Sequence, residues 1–353
     1  MGTRRRVTAT RRRVTATLAL AGVALLAACS AGASTHASSV TVAPTAALRS
    51  GGSATTFSFA VMPDTQNEVS PTDPRMDARV AWLLANRARL GLRWVLHSGD
   101  VQNWDTPDHG QFALMAARLA PLHEQGLPFV AVPGNHDTAA VCPGGSACPG
   151  TDTSATVRDT TTWNAYYPAS VFGYQGLWRT GQSDNGWRTF EAGGRSWLVL
   201  GLELWPRPQV LDWAEQVVSE HPHDNVIVLT HAFLEADGTV GADNGGYGAT
   251  SPAQVWDRLR RHPNVAMIVS GHTGQALVTT LRADDGHPVL CLLQALHAPA
   301  TNPVRVVTVD TEAGSVSTEV RISLDLSRAQ GQQHVDEALP GLSATVRGLV
   351  WVR

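Results

Sequence analysis

The stretch Phe129-Val130-Ala131-Val132-Pro133-Gly134-Asn135-His136-Asp137 decides how this chain is read. Four apolar residues have strand composition, Pro133 and Gly134 end the strand, and an amide, an imidazole and a carboxylate follow at once. Side chains of that chemistry at the carboxyl end of a strand suit divalent cations and proton transfer. The arrangement recurs along the chain: Phe59 to Met62 leads to Asp64-Thr65-Gln66, Trp94 to Leu96 to Gly99-Asp100, Val226 to Leu229 to Thr230-His231, and Val265 to Val269 to Gly271-His272. A lone Asp after a strand is usually a cap or turn residue, and a lone His there is usually a hydrogen-bonded edge residue. Five such strand ends in one chain point instead to a hydrolytic metal centre.

Helical spacing separates these strands over Asp77 to Leu90 and Gln111 to Leu122, with another strand at Trp197 to Leu202 and further helices at Gln209 to Glu220 and Pro252 to Arg261. Alternation of this kind predicts right-handed βαβ units, a largely parallel sheet and ligands at the strands' carboxyl ends. Residues 138 to 190 break the rhythm with Gly, Pro and Thr, and carry Trp163, Tyr166 and Tyr167; an insertion there is a candidate substrate wall. After His272, the segments Ala276 to Arg282, Val289 to Leu293, Val304 to Asp310 and Ser315 to Ile322 are expected to be antiparallel strands completing a second sheet. Residues 324 to 353 show no pattern and receive no role.

These blocks resemble the calcineurin-like metallophosphoesterases, whose pattern is Asp-x-His, Gly-Asp, Gly-Asn-His-Asp/Glu, His and Gly-His-x-His. The resemblance covers roughly residues 57 to 323 and is most specific at Gly134-Asn-His-Asp137. It implies an α/β fold, the four-layer α/β/β/α sandwich of that family, and a cofactor of two divalent metal ions (Mn, Fe, Zn or Mg). Asp64 would bind the first metal and Asp100 would bridge the two, while Asn135, His231 and His272 would surround the second. The resemblance makes His136 the catalytic histidine that stabilises or protonates the leaving oxygen, with Asp137 holding its ring; a water acidified by both ions attacks phosphorus in line. Two positions depart from the pattern: Gln66 replaces the His of Asp-x-His, and Gly274 replaces the last His of Gly-His-x-His. Gln66 still offers a carbonyl oxygen to the metal but Gly274 offers nothing, so the first metal is expected to be weaker and harder, Mg or Mn in place of Fe. Exported family members beginning Pro-Asp-Thr-Gln are similar at Pro63 to Gln66. Asn103 and His297 are supplementary ligand candidates. Asn103, Arg207 and Tyr166 are candidates for substrate contact, against a structural salt bridge for Arg207 and core packing for the aromatic rings.

Length and composition bound the rest. A chain of 353 residues with 43% hydrophobic content can bury one large α/β domain. Six Arg before an apolar run from Leu18 to Ala28 read as a secretory signal over residues 1 to 28, too short for a membrane span. Leu26-Ala27-Ala28-Cys29 resembles a bacterial lipobox, which makes Cys29 the expected lipid anchor, and the paired arginines hint weakly at twin-arginine export. Residues 29 to 55, rich in Ser, Ala and Thr, suit a flexible tether. Removing the signal's six Arg from 27 basic residues leaves 21 against 30 acidic, a charge of −9 that repels a polyanion. In an exported protein Cys142 and Cys148 read as a disulfide-closed loop, and Cys291 as a buried apolar residue. The expectation is therefore a lipid-anchored or secreted hydrolase of small phosphate mono- or diesters, with no nucleic-acid partner and no membrane contact beyond the anchor. The alternatives are a metal-binding module of the same fold with little or no turnover, and a secreted nuclease.

Overall fold

A computed structural model describes residues 54–353. The expected signal segment, Cys29 and nearly all of the tether lie outside the described residues. In chain order the strands are β1 (Thr56–Met62), β2 (Leu92–His97), β3 (Phe129–Ala131), β4 (Val141–Cys142), β5 (Ser146–Ala147), β6 (Gly176–Leu177), β7 (Gly186–Ala192), β8 (Arg195–Gly201) and β9 (Asn225–Leu229). They continue with β10 (Val265–Ser270), β11 (Ala276–Arg282), β12 (Pro288–Gln294), β13 (Val304–Asp310), β14 (Ser315–Leu324), β15 (His334–Ala338) and β16 (Ala344–Arg347). The helices are α1 (Arg75–Leu90), α2 (Gly110–Glu124), the short α3 (Thr153–Thr156), α4 (Thr161–Tyr166) and α5 (Ala169–Phe172), then α6 (Pro208–Glu220) and α7 (Pro252–Leu259).

Two sheets result. One runs β15-β14-β13-β1-β2-β3 with β16 also on β14, and the other runs β11-β12-β10-β9-β8-β7-β6. The ligand-bearing strands are parallel neighbours: β1 with β2 and β2 with β3 in the first sheet, β9 with β10 in the second, where β8 also runs parallel to β9. Their carboxyl ends therefore gather on one side, as the alternation predicts.

Side-chain alternation shows why the sheets stack. In β8, Trp197 and Val199 join the core that includes β1 and β2, while Leu198 and Leu200 pack with Val210, Leu211 and Ala214 of α6. Strand β9 divides likewise, Ile227 and Leu229 to the first core, Val226 and Val228 to the second. A strand apolar on both faces must be covered on both, and helices complete the four layers. Helix α1 stops at Gly91, whose φ of 62° lets its N–H return to the carbonyls of Arg87 and Ala88.

The sequence-based assignment needs three corrections. The four strands after His272 do not complete one sheet: β11 and β12 edge the second sheet, with β12 parallel to β10, whereas β13 and β14 cross to the first, β13 antiparallel to β1. Period-2 alternation gives a strand's two faces but not its partner. At the end of the insertion and just past it, β7 is a full strand paired with β8. Residues 324 to 353 add β15 and β16 to the first sheet and bury Leu349 and Trp351. No helix among the described residues is long and apolar enough to cross a membrane.

Candidate metal centre

Asp100 stands at the middle of the cluster. It follows β2 with φ of 52° and is 2% exposed. A left-handed backbone at a non-glycine residue stores strain that the surroundings must hold in place. They do so closely: a side-chain carbon added at Gly134 would collide with Asp100 Oδ1, and the His136 N–H donates to the same oxygen at 3.0 Å. Its other oxygen, Oδ2, lies 3.1 Å from His231 Nε2, 3.9 Å from His136 Nε2 and 3.4 Å from Gln66 Nε2. Two imidazoles beside it hold the Asp100 carboxyl well below the usual range despite burial.

His231 and His136 are each aimed by a carbonyl. His231 donates Nδ1–H to Ser98 O at 2.8 Å, which leaves Nε2 facing Asp100, and His272 Nδ1 lies 3.2 Å from that same Nε2. His272 has φ of 78°, and its N–H donates to Asp64 Oδ2 at 2.9 Å. Burial and the neighbouring His231 push His272 down to about 4, and Asp100 helps to raise His231 to about 9 against the cost of burial. Asp64 is shifted upward by burial. Ligand atoms of Asp100, His231 and His272 all lie within 4.8 Å of one another. Asn135 Oδ1 and Gln66 Oε1 are buried without any hydrogen-bond partner. Buried carbonyl oxygens are rarely left unpaired, so the donor set of carboxylates, imidazoles and orphan amide oxygens fits divalent cations.

His136 donates Nδ1–H to the Asn103 carbonyl at 2.6 Å, with Asn103 Oδ1 at 3.1 Å. Asp137 therefore does not hold the His136 ring as the resemblance implied. Its carboxylate instead accepts the N–H groups of Val101, Gln102 and Gly134 at 2.9 to 3.0 Å and Gln102 Nε2 at 3.0 Å, tying the loops after β2 and β3 together. Burial, then the nearby Asp100, raise it to about 7. Asn103, the candidate for supplementary ligation and substrate contact, here contacts His136. Arg207 binds Glu203 through Nε at 2.9 Å and Nη2 at 2.5 Å and covers Trp178, so it is the salt bridge and not a free phosphate contact. Tyr166 packs on Phe112 and His109, and Tyr167 donates to Gln102 Oε1 at 2.9 Å; both support α2 and the site loops.

Sequence reasoning missed Ser98, whose carbonyl aims His231, and Trp205, whose ring stands edge-on to His272 at 5.4 Å. Neither residue type signals a site without the fold. The Cys142–Cys148 disulfide is formed, and Cys291 is free and buried. A side-chain carbon on Gly145, within the disulfide loop, would meet Asn103 Oδ1 and lie 3.5 Å from His136 Cε1. Part of the insertion thus lies over the catalytic-histidine candidate. Beside the cluster, a cleft of about 330 Å³ is bordered by Asn135, His272, Trp205, Tyr247, Glu235 and Asp243.

A family model described as calcineurin-like phosphoesterase matches residues 57–276. An uncharacterized Bacillus subtilis protein, YvnB, is 23% identical over 233 residues, which is 65% of this chain and only 16% of that protein. This chain therefore spans well under a fifth of that relative's length. Among solved structures, a dimetal phosphatase from Danio rerio is similar over 76% of this chain and 97% of its own, at 13% identity and a TM-score of 0.46. The phosphopantetheinyl hydrolase of Mycobacterium tuberculosis is similar over 70% of this chain and 92% of its own, at 12% identity and a TM-score of 0.40.

Proposed function

The chain belongs to the calcineurin-like phosphoesterases, and from that premise we propose that it hydrolyses small phosphate mono- or diesters outside the cytoplasm. Metal-dependent phosphoester hydrolysis with two divalent ions is the activity of the family. The observation that carries the reading for this chain is the pair of orphan oxygens, Gln66 Oε1 and Asn135 Oδ1, beside Asp100, His231 and His272.

Asp64, Gln66 and Asp100 would hold one ion, and Asp100, Asn135, His231 and His272 the other. Bound there, the ions supply Lewis acidity toward a phosphoryl oxygen and lower the pKa of a water to about 7. The protein's own part is orientation and proton transfer. His136, fixed through Nδ1 by Asn103, presents Nε2 as the atom that gives a proton to the leaving oxygen. Asp137 keeps the loops after β2 and β3 in register through the N–H groups it accepts.

The cleft supports a small ester. Its border carries the carboxylates of Glu235 and Asp243 and neither Lys nor Arg, a surface that repels a nucleic-acid backbone. Export is supported by the Arg-rich, apolar N-terminal sequence and by the disulfide, a bond that persists in oxidising compartments. The test is to strip metal from the chain, titrate Mn(II), and follow a generic aryl monoester and diester beside Asp100→Asn. Activity that rises with about two equivalents and is absent in the variant is expected. A single tightly held ion with no hydrolysis would place the binding-module reading first, which Gly274 favours because it leaves one ligand position without a side chain.

A further inference from the structure

The two sides of the centre are unequally furnished. Around His231 and His272 there are two imidazoles, while Asp64, Gln66 and Asp100 offer the other side only oxygens. On that poorer side one more nitrogen approaches: His297 Nε2 lies 3.7 Å from Asp64 Oδ2. That separation is too long for a hydrogen bond. It suits two ligands of one ion, because donors about 2.1 Å from a shared cation stand about 3 to 3.7 Å apart.

The loop that carries His297 is fixed to the segments that carry the oxygens. Ser98 Oγ, two residues before Asp100, donates to Gln294 O at 3.1 Å, and Ala295 N–H donates to Gln275 O at 2.8 Å. The decisive link is Arg75, itself 5% exposed. Its Nη2 donates to Asn67 O at 2.6 Å, next to Gln66, its Nη1 donates to Ala298 O, next to His297, and Asp73 holds its Nε at 3.0 Å. One guanidinium thereby sets the spacing between the Gln66 turn and the His297 loop. Gln66 Oε1, buried without a partner, is the acceptor this spacing leaves for a cation.

We propose that His297 is a ligand of the first metal position, joining Asp64, Gln66 and Asp100 there and supplying the imidazole that the strand-end motifs do not. The inference rests on the metallohydrolase reading and is tested apart from turnover. The metal-free full chain and its His297→Ala variant are titrated with Mn(II), with bound ions counted after desalting and by electron paramagnetic resonance. His297 is partly exposed, so the variant is expected to unfold in chelator at the wild-type midpoint, and His297→Asn serves as a second, more conservative variant.

The expected result is two ions in the wild type, the tighter one retained in both variants, and the dissociation constant of the weaker one raised at least about tenfold. The spin-coupled pair signal gives way to that of an isolated ion. Two ions bound with unchanged affinity in the variants overturn the assignment and leave the hydrolase reading intact. A wild type that binds both ions through His297 yet cleaves no ester overturns the hydrolase reading and leaves the ligand assignment intact. One ion in the wild type, unaffected by either substitution, overturns both.

Discussion

At the scale of single residues, the centre is assembled by backbone as much as by side chains. Asp100 and His272 are two of four non-glycine residues with positive φ among the described residues, and both face the same cluster. Each such conformation costs about 1 to 3 kcal/mol, and the packing of Gly134 on Asp100 and of Gly271 on Asp64 is close enough to hold it. His136→Asn is expected to keep both metals and lose about 10²- to 10⁴-fold in kcat; parallel metal analysis and kinetics check it, and unchanged kcat would remove His136 from the mechanism. A pH dependence follows from His231. Its Nδ1–H is committed to Ser98, so the extra proton sits on Nε2, the atom a metal needs. The imidazole is raised to about 9 in the metal-free chain, so that proton stabilises the metal-free fold fully below its unfolded value and the gain is lost as pH rises through about 9. Metal uptake must expel it. Mn(II) affinity is therefore expected to rise about tenfold per pH unit between 6 and 8, and calorimetry in buffers of different ionisation enthalpy would count the proton. The ligand residues were legible in the sequence because each follows a strand directly; Asn103 as the partner of His136 was not, since the contact runs through its main-chain carbonyl, which sequence does not distinguish.

At the scale of elements, a buried ion pair fixes the turn between β1 and α1. Arg79 on α1 forms two bonds to Glu68, at 2.6 and 2.7 Å, and a third to Pro303 O at 3.1 Å, with its own side chain fully buried. Glu68 lies two residues from Gln66, so the pair anchors the turn that carries a candidate ligand. Glu68→Gln would leave a guanidinium charge buried without its counterion, which typically costs about 3 to 5 kcal/mol. Urea unfolding in chelator measures it, and a loss below about 1 kcal/mol would show that the pair adds little. Helices α1, α2, α6 and α7 were read from periodicity to within two residues at either end because each presents a continuous apolar stripe. Strand β7 was hidden because its residues are mostly half-buried and carry mixed polarity on both faces.

At the scale of the whole molecule, the C-terminal segment straps the two sheets together. Leu349 N–H donates to Gly314 O at the β13–β14 turn of the first sheet, while Val352 N–H donates to Asn225 Oδ1 at the start of β9 in the second, at 2.9 and 2.8 Å. Between them Trp351 packs on the fully buried Trp197, ring centroids 5.2 Å apart. Trp351→Ala is expected to cost about 3 kcal/mol, in the range for large-to-small changes of buried aromatics, with little change in metal affinity because the strap joins β9 at the end away from His231. Thermal unfolding and Mn(II) titration together check it; lost metal binding at full stability would contradict the assignment. By itself the sequence determined the α/β class, the alternation of strands with helices and which residues stand at the strand ends, because strand composition, helical period and a polar group at the break are all local. Only the tertiary structure decided that β13 and β14 belong to the first sheet, that the C-terminal segment closes the sandwich, that Asp137 organises loops while Asn103 holds His136, and that His297 comes within reach of Asp64. Those are choices among partners distant in the chain, and they are made by which faces remain to be covered and which buried polar atoms remain to be paired once every local element has formed.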